Sequence, residues 1–373
     1  MPPLQPTLTT PYKHISSTPI PTSIYLPPPS PTHPKACPVL LMIHGGAFML
    51  GHAGLNNKDQ IQDCLDRGWI VLALEHRLCP GVDMLEGPVT DVRDALAWVY
   101  EGGLGAVLEG ERVRMGEGWW GGEVDVQRVV VMGTSSGGHL ALCTVRYTET
   151  YRYLFFSLPD THTIHKAFNT PRPPLAILDF YGPKNFAHPF WKTPLSCLAD
   201  SFQTAPPATT HALLTAQKTL LVGGPSLEGQ TPTSSSSSSP PDPHASLRFT
   251  YTMHKLATGT LLPTIWPAYP ANLHAIDPMA NVNGARCAGG KWPPVGIVHG
   301  VEDEMVPVFL SRGFAEALRG SGQDVELFEV EGEGHTFCGG MERGGRTWGV
   351  QRRGWEWLAG VVGGSYEGGV GSG

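Results

Sequence analysis

No stretch of this 373-residue chain approaches 18 uninterrupted apolar residues, so no transmembrane helix is expected. The opening residues, MPPLQPTLTTPYKHISSTPIP, lack a charged segment followed by an apolar run, which argues against a secretory signal. Basic charge is scarce. With 26 Lys and Arg against 33 Asp and Glu the net charge is −7, and the basic footprint of a nucleic-acid-binding protein is missing. Paired cysteines are missing too: Cys37, Cys64, Cys79, Cys143, Cys197, Cys287 and Cys338 are odd in number, scattered and without a CxxC. Neither a disulfide framework nor a zinc site is expected, and reduced cysteines suit a cytoplasmic protein. No internal repeat is visible. What is present is a 41% hydrophobic fraction, enough for a core of ordinary size, and many glycines and prolines, 46 and 35, which point to numerous loops and turns.

Strand and helix patterns alternate along the chain. Residues 1–35 are rich in Pro, Thr and Ser, with short extended pieces around Tyr12–Ile15 and Ser23–Leu26 that suit a sheet edge. Apolar runs at 38–44, 69–74, 174–181 and 294–299 read as buried strands, and 125–132 (DVQRVVVM) reads as a further strand. Residues 57–67 have helical spacing with Gly68 as C-cap, and 90–100 form an amphipathic helix with Thr90 as N-cap. The Gly-rich stretch 102–122 reads as an irregular surface insertion. A helix follows from near Gly137. Further on, 308–318 reads as helix, 324–330 as strand and 346–358 as a closing helix before a frayed tail from Gly363. Together these predict an α/β fold: a mainly parallel central sheet flanked by helices.

About a hundred residues without a strand pattern separate the runs at 174–181 and 294–299, far beyond ordinary connections. The expected organisation is a core from 1–182 and 291–362, a cap insertion at 183–290 and a flexible tail at 363–373. The serine run Ser234–Ser239 sits in a tract, 222–246, that is expected to be disordered. The aromatics Phe186, Phe190, Trp191, Trp266 and Tyr269 suggest a helical cap over a pocket.

Chemistry concentrates in four places. Gly133-Thr134-Ser135-Ser136-Gly137 is a G-x-S-x-G between a strand and a helix, the context of a nucleophile elbow. Ser135 is the nucleophile, and the backbone N–H of Ser136 is placed to serve an oxyanion. His44-Gly45-Gly46-Ala47 directly follows a buried strand and resembles the HGG loop of lipases and esterases, so Gly45 and Gly46 are candidate oxyanion donors. His44 is read as fixing that loop. A serine needs a base, and the base an orienting acid, in the chain order Ser, acid, His. Glu302, Asp303 and Glu304 follow a buried strand and are the candidate acids. His335, in Gly332-Glu333-Gly334-His335, combines the right order, a preceding strand and a glycine setting, and is the candidate base. His162 and His165 lack a carboxylate or third ligand at useful spacing, so no metal is expected.

Five segments in order, HGGAF (44–48), EHRLCP (75–80), GTSSGG (133–138), HGVEDEMVP (299–307) and GEGHTF (332–337), resemble the hormone-sensitive-lipase and bacterial/fungal esterase branch of the α/β-hydrolases. The resemblance implies an α/β-hydrolase fold with a cap and no cofactor. It singles out Asp303 as the acid, through a D-x-x-V-P loop, and gives the EHRLCP segment the task of bracing the oxyanion loop. Ala47 and Phe48 depart from the HGGG or HGGGW form towards kynurenine-formamidase-like and feruloyl-esterase-like members, and Thr134 replaces a frequent acidic residue. These departures bear on the substrate more than on the reaction. The expected function is serine-dependent hydrolysis of a carboxylic ester or related acyl bond in a small molecule. The alternatives are a specialised thioesterase, lactonase or releasing hydrolase of secondary metabolism, and a non-catalytic small-molecule receptor on the same fold. The sequence leaves the oligomeric state open.

Overall fold

The structure is a computed structural model that describes residues 4–116, 118–145, 173–225, 227, 242–284, 291–338 and 341–364. Eight strands form one sheet: β1 (Leu8–Ile15), β2 (Thr18–Tyr25), β3 (Ala36–Ile43), β4 (Ile70–Leu74), β5 (Glu123–Thr134), β6 (Ile177–Phe180), β7 (Val295–Gly300) and β8 (Val325–Val330). Their spatial order is β1-β2-β4-β3-β5-β6-β7-β8. The β1–β2 and β2–β4 pairs are antiparallel and every later pair is parallel. The apolar runs are continuous because the central strands are covered twice. Val39, Leu41 and Ile43 of β3 join one hydrophobic cluster, and Leu40 and Met42 join the other.

Helices α1 (Lys58–Asp66) and α9 (Arg346–Gly363) cover one face, contributing Ile61, Leu65, Trp355 and Leu358. On the other face lie α2 (Thr90–Tyr100), α4 (Ser136–Leu142) and α8 (Val308–Gly320), contributing Leu96, Leu140 and Phe314. Asn57, not part of the helix expected over 57–67, caps α1 by accepting the amide of Gln60 through its side chain. Thr90 is not an N-cap. A π-helical turn over Leu85–Val89, kinked at Gly87, leads into α2, and the Thr90 hydroxyl donates back to the Leu85 carbonyl at 2.6 Å.

The Gly-rich stretch after α2 is also more regular than its composition suggests. It forms α3 (Gly103–Met115), anchored by buried Leu104 and Leu108. Gly105 and Gly110 face open space, and Glu109 and Glu111 each pair with an arginine three residues on. Two buried anchors and surface ion pairs outweigh the roughly 1 kcal/mol that each glycine costs a helix.

A buried charge cluster joins the antiparallel edge to the parallel core. Fully buried Asp91 on α2 accepts from Arg77 Nε at 2.9 Å, from the Arg77 amide at 2.9 Å and from Lys13 Nζ at 2.8 Å. Burial works against the ionised carboxyl, but Arg77 and Lys13 outweigh it and hold Asp91 below the usual range. Its contribution is therefore complete above the ordinary carboxylate value near pH 4 and is lost as pH falls through the lowered one. Asp91→Ala should cost about 3–5 kcal/mol by stranding a buried guanidinium. In denaturant titrations it should also flatten the fall in stability on the acid side.

The segment between β6 and β7 carries α5 (Thr210–Thr215), α6 (Ala245–Ala257) and α7 (Leu261–Ile265) with several 3-10 turns. Of the tract expected to be disordered, residues 226 and 228–241 lie outside the described residues, whereas its two ends pack against the core. Gly223 bridges to Gly51, and Asp242 pairs with Arg248, both of whose side chains are fully buried. His162, His165 and Cys287 lie outside the described residues, as does the tail beyond Gly364. Among the described residues no helix is long and apolar enough to cross a membrane.

Candidate active site

Ser135 stands at the junction of β5 and α4 with φ 51° and ψ −125°. Such a backbone is costly for a side-chain-bearing residue and must be held by its surroundings. The Ser135 amide donates to the Phe180 carbonyl at 2.8 Å, and its carbonyl accepts from Gly138 at 2.9 Å. The flanking glycines are needed for space. A Cβ on Gly133 would sit 2.1 Å from the Gly137 carbonyl oxygen, and one on Gly137 would sit 2.2 Å from that of Ile43. The two glycines of the motif therefore have a steric cause: helix, strand and neighbouring strand meet too closely at those positions for a side chain.

The other motif residues converge on it. The Ser135 hydroxyl lies 2.9 Å from His335 Nε2, and His335 Nδ1–H donates to Asp303 Oδ2 at 2.7 Å. The second oxygen of Asp303 accepts the amides of Met305 at 3.0 Å and Val306 at 2.8 Å. Burial opposes the Asp303 carboxylate, but His335 and a second imidazole, His299, more than compensate and hold it well below the usual carboxylate range. Glu302 and Glu304, the rival acids, are exposed. The acid and base loops are laced together. Glu302 donates its amide to Glu333 at 3.0 Å, an approach that only a glycine at 300 permits, since a Cβ there would lie 2.3 Å from the Glu333 oxygen.

Gly45 and Gly46 line the same cleft as Ser135, together with Leu55, Asn57, Tyr181 and Thr336. Gly46, Ala47 and Phe48 have positive φ in succession, which turns the loop sharply beside the cleft that Gly46 shares with Ser135. Ser136 is the first residue of α4, so its amide belongs to the four that have no acceptor inside the helix. His44 is buried under the loop, where its Nδ1–H donates to the Gly45 carbonyl at 2.8 Å. Burial, with His76 nearby, lowers His44 well below its ordinary value and keeps it uncharged. The EHRLCP segment braces the loop in two ways: the His76 ring stacks on His44 at 4.4 Å, and the Cys79 amide donates to the Phe48 carbonyl at 2.9 Å.

Several contributors escaped the sequence reading. Tyr181 follows β6 and packs edge-on against His335 at 5.0 Å. Arg248 of α6 is fully buried and donates to the carbonyls of Cys79 at 2.8 Å and Met49 at 3.4 Å. It ties the inserted segment to the back of the oxyanion loop, and no local motif marks it. Conversely, none of the five aromatics expected to roof the pocket is among the residues lining this cleft, and among the described residues of the insertion only Leu227 is. Phe186 instead stacks on His139 and packs against Trp191.

Comparison with known proteins places this geometry among relatives. Residues 40–155 match the family described as alpha/beta hydrolase fold. The non-reducing polyketide synthase atr1 of Stereocaulon alpinum is 31% identical over 338 residues, covering 88% of this chain and 12% of that protein. The corresponding synthase ausA of Aspergillus calidoustus is 29% identical over 347 residues, covering 82% of this chain and 12% of that protein. The chain thus spans about an eighth of the length of the polyketide synthases it matches. Among solved structures, a Staphylococcus aureus subsp. aureus Mu50 protein of unknown function superposes with a TM-score of 0.60 at 17% identity, covering 95% of this chain and 99% of that one. An esterase from Thermogutta terrifontis superposes with a TM-score of 0.52 at 20% identity, covering 98% of this chain and 95% of that one.

Proposed function

The chain belongs to the α/β-hydrolases, and from that premise we propose that it is a serine hydrolase that cleaves a carboxylic ester or related acyl bond through an acyl-enzyme. One observation carries the proposal: the unbroken line from Ser135 Oγ through His335 to Asp303, at 2.9 and 2.7 Å. As the Ser135 oxygen attacks the acyl carbon, His335 Nε2 takes its proton and Asp303 stabilises the imidazolium. The carbonyl π electrons move onto oxygen, where the amides of Gly45, Gly46 and Ser136 are the proposed donors. Collapse of the tetrahedral adduct expels the leaving group, which takes the proton from His335. Water, deprotonated by the same imidazole, then hydrolyses the acyl-enzyme.

The polyketide synthases matched over more than four-fifths of this chain favour a second, narrower reading: an acyl or thioester hydrolase acting on a complex secondary metabolite. The aligned triad gives no support to a receptor that has lost catalysis.

The test compares p-nitrophenyl acetate with acyl thioesters of increasing length, in wild type and Ser135→Ala, alongside fluorophosphonate labelling. Ser135→Ala is expected to lose labelling and at least about 10⁴-fold in turnover. Equal turnover in the two proteins would defeat the proposal. Labelling of Ser135 with poor turnover of acetate and good turnover of long thioesters would select the narrower reading.

A further inference from the structure

Behind Asp303 the hydrogen-bonded line does not stop. His299, fully buried at the end of β7, approaches Asp303 Oδ2 with Nε2 at 3.2 Å, the same oxygen that receives His335. The same Nε2 lies 2.7 Å from the Val306 carbonyl. A carbonyl can only accept, so Nε2 carries the proton and is shared between the two oxygens. On the far side of the ring, Nδ1 lies 2.7 Å from the Ser311 hydroxyl. That hydroxyl oxygen accepts from Lys184 Nζ at 2.9 Å, which leaves the Ser311 proton to point at His299 Nδ1. Fully buried Lys184 is itself fixed by the Gly182 carbonyl at 2.6 Å and by Asp179 Oδ2 at 2.6 Å. The result is one directed chain, Asp179–Lys184–Ser311–His299–Asp303–His335–Ser135, drawn from four separate segments of the sequence.

We infer that His299 is a positioning residue of the proposed triad: its tautomer is set by the Val306 carbonyl, Ser311 and Lys184 hold the ring through Nδ1, and its Nε2–H gives Asp303 a second imidazole donor that tempers the pull of Asp303 on His335. The inference rests on the triad reading above.

The charged surroundings of His299 agree with this arrangement. Burial lowers His299 below its ordinary value, Asp303 opposes that, and Lys184 reinforces it, so the ring stays neutral and keeps Nδ1 as an acceptor. Glu329 pairs with His299 in the β7–β8 register, but its carboxylate is engaged by Arg312 at 2.6 Å. Tyr181 presents its ring edge-on at 6.4 Å, and His335 lies across Asp303.

Without the His299 donor, the negative charge on Asp303 Oδ2 falls more fully on His335. The imidazolium form of the base is then favoured, so the base protonates at higher pH. The experiment is the pH profile of kcat/KM on p-nitrophenyl acetate for wild type, His299→Phe, His299→Gln and Ser311→Ala. It is paired with an NMR titration of the His335 imidazole, which needs no turnover. In His299→Phe the acid limb and the NMR midpoint should both move up by about one pH unit. His299→Gln, which retains a donor, should return them towards wild type. Ser311→Ala keeps the ring and its Nε2 proton but removes the hydroxyl that aligns Nδ1, so the donor to Asp303 is loosened and both readouts should shift the same way by less. It carries the test if His299→Phe fails to fold. Acid limbs and NMR midpoints that coincide with wild type in the folded variants would overturn the inference, even if their Tm values fall. A wild type without Ser135-dependent turnover would defeat the hydrolase proposal instead, leaving the NMR comparison to decide this one.

Discussion

Asp303→Asn is expected to lower kcat/KM by about 10⁴ while the fold survives, a loss of the size seen when a triad acid becomes an amide. The two oxygens of Asp303 accept from four groups: the amides of Met305 and Val306 on Oδ1, and His335 Nδ1 and His299 Nε2 on Oδ2. Asparagine offers one oxygen and one NH₂ in the same space. If its oxygen faces the two amides, its NH₂ meets two imidazole donors. His335 can satisfy that contact only by moving its proton to Nε2, where it faces the Ser135 hydroxyl and can no longer take a proton from it. If the amide is reversed, the NH₂ meets two backbone N–H groups and the loop over 303–306 is strained. Either way the base is disabled by geometry as well as by lost charge. Because the Asp303 carboxylate is held well below the usual range, its protonation should not limit the wild-type profile near neutral pH. Steady-state kinetics on an activated ester, with a thermal melt as a folding check, measure this. A loss under tenfold would remove Asp303 from the triad.

Much of the fold was legible because its central strands are buried on both faces and leave plain apolar runs, as in β3, β4 and β7. The motif residues were legible because steric demand leaves a local trace: Gly133, Gly137 and Gly300 are glycines where a Cβ would overlap another chain segment. What was not legible lies where the cause is distant in sequence. Prolines made β1 and β2 look like fragments, yet Pro11 pairs with Pro21 in a ladder that extends across Leu8–Ile15 and Thr18–Tyr25. β1 is the edge strand, where a missing N–H is tolerated, and β2 is held on its other side by β4 over Thr22–Tyr25. Glycine content made α3 look irregular, although two buried leucines suffice to dock it. The supporting contacts of the site are harder still to foresee. Arg248 reaches Cys79 across 169 positions and Lys184 reaches Ser311 across 127, so neither belongs to any local pattern. The candidate catalytic set could thus be read from short motifs, whereas the groups that hold it in place required the fold.

Gly46→Ala should reduce kcat by about 10² to 10³, with a much smaller change in KM. At φ +128° the backbone of Gly46 lies where a side chain is strained in any surroundings, and here the surroundings add an obstacle. A Cβ would sit 2.2 Å from the Leu50 carbonyl oxygen and 2.5 Å from its carbon. Those atoms cannot step aside cheaply, because the Leu50 and Met49 amides both donate to the Gly46 carbonyl, at 2.8 and 3.0 Å, and close the turn. The Phe48 carbonyl is held by Cys79, and Gly51 by its bridge to Gly223. Relief must therefore come from Gly46 itself, and its amide swings away from the cleft that it shares with Ser135. An oxyanion develops full charge only after attack, so a displaced donor weakens the transition state far more than the bound ester. Gly110→Ala, on the exposed side of α3 with open space around it, is the matched control and should leave kcat unchanged. Should Gly46→Ala retain wild-type kcat with an intact fold, the oxyanion donors would have to be sought elsewhere than in the loop that follows β3.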